Sequence, residues 1–265
     1  MPHPGFRIGT PLVVGPFRIR RIDYPPGLRQ PEHSHDAFSM TVLLAGDIFE
    51  TTRTGEAMGS ALSVVVKPAG VRHANKVGPR GARTVQVAFR PEVAEELTEG
   101  SGLGGWRWQH GGPACAPLLG LARGLRREAT RASRMEDRIL DAVAAWSDGG
   151  PADSVAAGWV ERVKEALDDE LETDIGVRDL ARLVDAHPVS VSRAFRRRYG
   201  VTVTEYRRRE RVRRAAARIE ASSLSLSRIA HATGHADHPH LCREFRRLTG
   251  VTPSEFRRLA RPTAG

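Results

Sequence analysis

Lysine and cysteine are the scarce residues of this 265-residue chain. Lys67, Lys76 and Lys164 are the only lysines among 41 basic residues, so the positive charge is almost entirely arginine. Arginine's planar fork suits phosphate and guanine, although a GC-rich genome would give the same bias. The two cysteines, Cys115 and Cys242, sit in unlike contexts. That argues against a disulfide framework and fits a reducing cytoplasm. No run of about 18 apolar residues occurs, which excludes a transmembrane helix. The start, Met1-Pro-His-Pro-Gly, lacks the basic-then-apolar plan of a signal peptide. No Gly-x-Ser-x-Gly nucleophile elbow and no paired carboxylates stand out, so nothing in the motifs points to hydrolytic chemistry.

The residues that are present suit a soluble protein of two domains, with 40% hydrophobic and 27% charged residues. Charge is unevenly placed. From Ile175 onward there are 20 basic and 8 acidic residues, a net of +12, which leaves −2 for residues 1–174. Clustered arginine in one third of a chain is the footprint of a polyanion partner.

That basic third contains a repeat. Arg193-Ala-Phe195-Arg-Arg-Arg-Tyr-Gly200-Val-Thr202-Val-Thr-Glu205-Tyr206 returns as Arg243-Glu-Phe245-Arg-Arg-Leu-Thr-Gly250-Val-Thr252-Pro-Ser-Glu255-Phe256. Leu180-Ala181 and Ile229-Ala230 precede the two copies. In each, Thr-x-x-Glu forms a capping box for a following helix, and the glycine falls where a helix ends in a left-handed residue. Val191, Phe195 and Tyr199 line one face of the first helix, and Leu241, Phe245 and Leu248 line one face of the second. Arginines take the other faces. A short helix over Val177–Val184, a turn, and a basic amphipathic helix over Val189–Tyr199 match the helix-turn-helix plan. Two similar units in one chain suit double-stranded DNA, which is long and regular.

Residues 10–90 have a different grammar. Phe17–Tyr24, Phe38–Ala45, Ser63–Lys67 and Thr84–Phe89 are rich in β-formers and broken by Pro25-Pro26-Gly27, Gly46-Asp47, Gly55, Pro68-Ala-Gly70 and Gly78-Pro79. Closely spaced strands with turn signals predict a sandwich or small barrel. Glu92–Leu97 reads as a short helix. The loop at 100–105 contains G-x-G-x-x-G, but no strand leads in and no helix follows, so it is not a dinucleotide fingerprint. Pro117–Arg131 and Ser133–Trp146 read as helices, Ser147–Pro151 as a linker, and a further helix begins near Val155, capped by Asp153 or Ser154.

The segment Ile229-Ala-His-Ala-Thr-Gly234-His-Ala-Asp237-His-Pro-His-Leu-Cys-Arg243-Glu-Phe245 through Thr252-Pro253-Ser-Glu-Phe256-Arg257 resembles the C-terminal signature of AraC/XylS-type transcription regulators. The first copy resembles that family's other helix-turn-helix. The chain departs from the pattern at His235 (usually aromatic), Pro239 (usually Ser) and Leu241 (usually Phe). The resemblance implies a multidomain α+β protein: an N-terminal cupin-like β-barrel over 1–100, a helical dimerisation or linker segment over 113–147, and an all-α DNA-binding domain over 153–262. Its helix-turn-helix motifs fall at about 177–199 and 226–248, and their recognition helices would enter successive major grooves about 34 Å apart. Carried over by position, Val189, Ser192, Arg193, His238, His240, Cys242 and Arg243 face bases, whereas Arg196, Arg197, Arg246 and Arg247 contact phosphates. The resemblance further implies a small-molecule effector, a homodimer, RNA polymerase as partner, and activation as the commoner outcome.

Gly27-x5-His33-x-His35, ten residues before Gly46, resembles the first cupin motif, and Pro68-x-Gly70-x-x-His73 resembles the second. His33, His35 and His73 are therefore expected to line an effector pocket or hold a divalent metal. Ser39 stands where cupins usually carry a metal-binding glutamate. The expectation is a regulator that is not an enzyme and requires no cofactor. The alternative is a metal-dependent cupin enzyme with an accessory nucleic-acid module.

Overall fold

The computed structural model describes residues 6–98, 104–126, 132–147, 158–171 and 175–261. Its N-terminal part is an antiparallel sheet of β1 (Arg7–Ile8), β2 (Leu12–Val14), β3 (Phe17–Tyr24), β4 (Arg29–His33), β5 (Ser39–Thr52), β6 (Gly55–Gly59), β7 (Ser63–Lys67), β8 (His73–Phe89) and β9 (Arg107–His110). Helix α1 (Pro91–Thr98) separates β8 from β9. The sheet runs β1-β3-β8-β5-β7-β9, with β2 on β3, β4 on β8 and β6 on β5. Among the described residues no pairing joins β1 to β9, so the sheet rolls without closing into the expected barrel.

The rolling comes from two long strands. Where Phe38–Ala45 and Thr84–Phe89 predict short strands, β5 and β8 run for 14 and 17 residues. Gly46-Asp47 and Gly78-Pro79, which read as turns, lie instead where the β5–β8 register shifts. Gly46 and Gly81 have φ of 72° and 73°, and a Cβ on Gly46 would sit 1.8 Å from the Gly81 carbonyl oxygen. Bulges bend a strand, so β4 pairs with the first half of β8 and β3 with the second. The sheet folds over itself. Met40, Val42, Leu44, Val64, Val66, Val85 and Val87 are buried in the core shared with the helices. Thr41, Leu43, Val65, Thr84 and Gln86, on the alternate face, line an enclosed cavity.

The helices are α2 (Cys115–Gly124), α3 (Ala132–Ser147), α4 (Trp159–Asp169), α5 (Val177–Leu183), α6 (Pro188–Tyr199), α7 (Val203–Ala221), α8 (Leu226–His231), α9 (His238–Thr249) and α10 (Pro253–Ala260). The helix expected to reach Arg131 stops at Gly124, where the Leu125 N–H donates to the Leu121 carbonyl. Most of the expected linker, Asp153, Ser154 and Val155 lie outside the described residues.

Two apolar clusters divide the helices unevenly. Val160, Val163 and Leu167 of α4, Leu180 and Ala181 of α5, Val191 and Phe195 of α6, and Val203 of α7 form one. The second half of α7 and all of α8 to α10 belong to a larger core that includes α2, α3 and the sheet. Helix α2 is buried along most of its length. Arginines complete this union. The Arg21 guanidinium donates to the carbonyls of Leu259 (3.4 Å) and Arg261 (2.9 Å), Arg83 to Ala260, and Arg126 to Arg261 (2.9 Å). The last carbonyls of α10 have no partners within the helix, so guanidinium groups, two of them from strands β3 and β8, cap it.

Candidate nucleic-acid interface and ligand pocket

The first helix-turn-helix is α5 and α6. The Gly176 N–H donates to Asp179 Oδ2 (3.0 Å) at the start of α5, and the Ala186 N–H donates to the Ala181 carbonyl (2.9 Å) across the turn. Helix α6 opens with Pro188, and His187 Nδ1 accepts from the Val189 N–H (3.3 Å). With Val191 and Phe195 buried, the opposite face presents Val189, Ser192, Arg193 and Arg196 to solvent; Val189 is 49% exposed. The side chain of Arg197 lies outside the described residues. Arg198 is held by Glu161 on α4 at 3.1 Å.

The second unit, α8 and α9, repeats this plan with stronger caps. Ser225 accepts from the Arg228 N–H (3.3 Å), and Asp237 Oδ1 accepts from the His240 N–H (2.6 Å). Both recognition helices end on a glycine at φ 72°, Gly200 and Gly250, as the repeat predicts. On α9, Leu241 and Phe245 are buried, His238, His240 and Cys242 half-buried, and Arg243 and Arg246 exposed. Arg247 is also exposed, but Glu244 (3.4 Å) and Glu205 (3.5 Å) already hold its guanidinium. His240 Nδ1 accepts from the Ala236 N–H (3.2 Å), which in the neutral ring leaves the proton on Nε2 as a donor. His235 is buried, shares a 3.0 Å hydrogen bond with Thr233 Oγ1, and meets the His240 ring edge-on. Burial, reinforced by the charges of His240 and Arg211, lowers its pKa to about 4. A neutral imidazole thus fills this buried place.

The rolled sheet encloses a cavity of about 210 Å³ lined by Arg20, Tyr24, His33, His35, Glu50, Lys67, Asn75, Gln86 and Trp108 among others. The motif histidines do converge: His33, His35 and His73 have ring centroids 4.4–5.1 Å apart, and each offers a nitrogen within 4.8 Å of the others. His33 Nδ1 and His73 Nδ1 lie 2.8 and 3.0 Å from the carbonyls of Pro31 and Val71. Both must donate there, so in the neutral rings each Nε2 keeps its lone pair. The glutamate absent at Ser39 has a counterpart nearby: Glu50, fully buried, accepts from the indole N–H groups of Trp106 (2.7 Å) and Trp108 (3.0 Å). Lys67 pairs with Glu50, and its Nζ lies 3.4 Å from His73 Nε2. The ammonium therefore stands where a divalent ion would approach these imidazoles, so a metal does not fit while Lys67 is charged. Burial, then Lys67, lowers the His35 pKa to about 4. Arg20, Glu50, Lys67 and Trp108 carried no sequence motif. Their signal was weaker, a charged or polar residue at inward positions of alternating strands.

Residues 180–259 match a family model described as a helix-turn-helix domain. The match spans both recognition helices and the α7 linker. This region is a helix-turn-helix domain. Solved structures similar to the chain include the AraC-like transcriptional activator CuxR, at 17% identity and TM-score 0.46, covering 81% of this chain and 84% of that one. ToxT from Vibrio cholerae O395, bound to (E)-4-(8-methylnaphthalen-1-yl)but-3-enoic acid, is similar at 10% identity and TM-score 0.40, over 92% and 99% of the two chains. The C-terminal domain of AraT, a response regulator from Geobacillus stearothermophilus, is similar at 22% identity and TM-score 0.38, over 40% and 88%. No curated protein sequence matches the chain. Among the described residues, no helix is long and apolar enough to cross a membrane, and both cysteines are free.

Proposed function

We propose that the AraC-type domain reads an asymmetric DNA site under the control of a small molecule held in the cupin-like pocket of the rolled sheet. The observation that carries this reading is the pair of like-capped helices, α6 and α9, each with an exposed arginine face. Val189, Ser192 and Arg193 on α6, and His238, His240, Cys242 and Arg243 on α9, are the base-facing residues. Arg196, Arg197 and Arg246 neutralise phosphates. Arg247 does so less, because it is already held by two glutamates. His240 Nε2–H offers a donor to acceptors on a base edge, and Arg243 offers its fork to guanine.

An effector shifts such a protein only by binding two of its states with different affinity. Strands β3 and β8 offer a route. Arg20, Thr84 and Gln86 line the pocket, and their neighbours Arg21 and Arg83 hold the end of α10. A change in strand position on ligand binding would therefore reach the second helix-turn-helix directly. With α2 buried, dimerisation falls to the outer face of α3, where Leu140 is 46% exposed. Recruitment of RNA polymerase, transcriptional activation and a cytoplasmic setting complete the reading. The Lys67 ammonium beside His73 argues for histidines that line a pocket over a metal-dependent enzyme. Metal analysis of purified protein, with His33→Ala as control, tests that point.

Selection of bound DNA from a random pool, with footprinting of the winners, tests the main reading. An asymmetric footprint of roughly two helical turns per subunit is expected. Arg193→Ala should relax the preference at its base position, at about 1–3 kcal/mol for the cognate base. Equal losses on cognate and scrambled DNA would remove Arg193 from the base-reading set.

A further inference from the structure

We infer that the pocket of the rolled sheet takes a small hydroxycarboxylate, its carboxylate on Arg20 and its hydroxyl on the His33 Nε2 lone pair. This inference rests on the effector-control reading and names the ligand class. Charge accounting in the cavity leads to it. Glu50 is the one carboxylate among the lining residues, and it is already satisfied by Lys67 and two indole N–H groups. Arg20 has one hydrogen bond, from Nε to Gln86 Oε1 at 2.7 Å, and no carboxylate within ion-pair distance among the described residues. Both of its Nη groups are left without an acceptor. Arg20 lines the cavity with these donors uncommitted, and its planar fork fits a carboxylate in bidentate fashion.

The rest of the lining sets the other end of the ligand. His33 spends its Nδ1–H on the Pro31 carbonyl, so its Nε2 accepts. Tyr24, Gln30, Thr41, Thr84 and Gln86 add polar side chains around it. The His33 Nε2 acceptor needs a ligand that donates, which a hydroxyl does and an ionised fatty acid does not, while the hydroxyl and amide side chains can meet either role. Size narrows the class further. A volume of about 210 Å³ lies below the usual range of drug-sized sites. Acids of three to six carbons suit it, and long acyl chains do not.

The test is thermal stability and calorimetric binding of the full chain with lactate, glycerate and gluconate. These are set against glycerol and glucose as neutral partners, butyrate as an acid without a hydroxyl, and inorganic phosphate as a bare anion. The hydroxy acids should raise Tm in a concentration-dependent way, with glycerol, glucose, butyrate and phosphate each at least tenfold weaker. Arg20→Gln should lose at least tenfold in affinity, and Arg20→Lys should retain part of it. Circular dichroism and thermal unfolding of both variants without ligand, unchanged from the parent chain, report that the fold is intact. The proposal is overturned by neutral sugars binding as well as the acids, by acid binding that survives Arg20→Gln, or by no stabilisation from any hydroxy acid at millimolar concentration. Failure of the regulator reading looks different: loss of sequence-specific DNA binding altogether, with acid binding at Arg20 unaffected.

Discussion

The two helix-turn-helix units share a local grammar and differ in what they pack against. Each has a capped recognition helix, a phenylalanine at its buried centre, a left-handed glycine at its end and a Thr-x-x-Glu start to the next helix. Among the described residues, Phe195 closes a core of α4 to α7 and the turns between them, whereas Phe245 sits in the core that runs through α2 into the sheet. Arg21 and Arg83 then hold the second unit to β3 and β8 from outside the core. The first unit meets the sheet across a cleft of about 410 Å³, with Trp108 and His110 on one wall and Tyr199 and Tyr206 on the other. Repeated sequence therefore specifies a repeated motif and says little about its surroundings. One unit is built into the rolled sheet, and the other stands beside it.

The strongest way to break this comparison is to empty each core in turn. Phe195→Ala and Phe245→Ala should each cost about 3–5 kcal/mol of local stability, because both rings are fully buried. Their reach should differ. Phe195→Ala should raise hydrogen exchange in α4 to α6 and leave β5 and β8 protected, whereas Phe245→Ala should weaken protection in α2 and the sheet as well. Equal spread from both substitutions would show one cooperative core where the packing shows two.

Protonation separates the units next. His235 belongs to the second unit alone, and the matching position of the first has no buried histidine. Its folded pKa of about 4 lies below the usual 6.5, so between those values the unfolded chain binds the extra proton. Stability from this group is fully present above pH 6.5 and is lost as pH falls toward 4. The whole effect amounts to about 3 kcal/mol, from about 1.4 kcal/mol per pH unit. His235→Phe, which keeps a ring of similar shape without a titratable nitrogen, should flatten the fall of Tm between pH 6.5 and 4. An unchanged profile would mean that His235 is not buried neutral.

These contrasts also show what a sequence can and cannot display. Helices α5 to α10 were legible largely because starts and ends are written locally, in Thr202-x-x-Glu205, Thr252-Pro253 and the two glycines. Strands β3 and β7 were legible for the same reason. The long strands were not: Gly46-Asp47 and Gly78-Pro79 carry turn chemistry, yet here they form bulges whose partner is a distant strand. Likewise the three histidines were found through their spacing. Arg20, Glu50, Lys67 and Trp108 come from four separate strands and meet only after the sheet rolls. The union of the second unit with the sheet was hidden too, since Arg21 and Arg83 read as ordinary strand arginines 238 and 177 residues away from the carbonyls they hold.

The finest distinction lies within α9, between adjacent arginines that the repeat treats as equals. Arg246 is exposed, with no ion-pair partner among the described residues, and each phosphate neutralised by such a residue should contribute about 0.9 to the slope of log K against log salt. Arg247 is held by Glu205 and Glu244, so its charge is partly spent before DNA arrives. Arg246→Ala should therefore reduce the slope by close to one on any sequence, and Arg247→Ala by clearly less. Replacing Glu244 with glutamine should free part of the Arg247 charge and steepen the slope slightly. If Arg247→Ala proves as costly as Arg246→Ala, the two glutamates give way on binding, and the ion pairs of the free protein are no guide to its DNA-bound state.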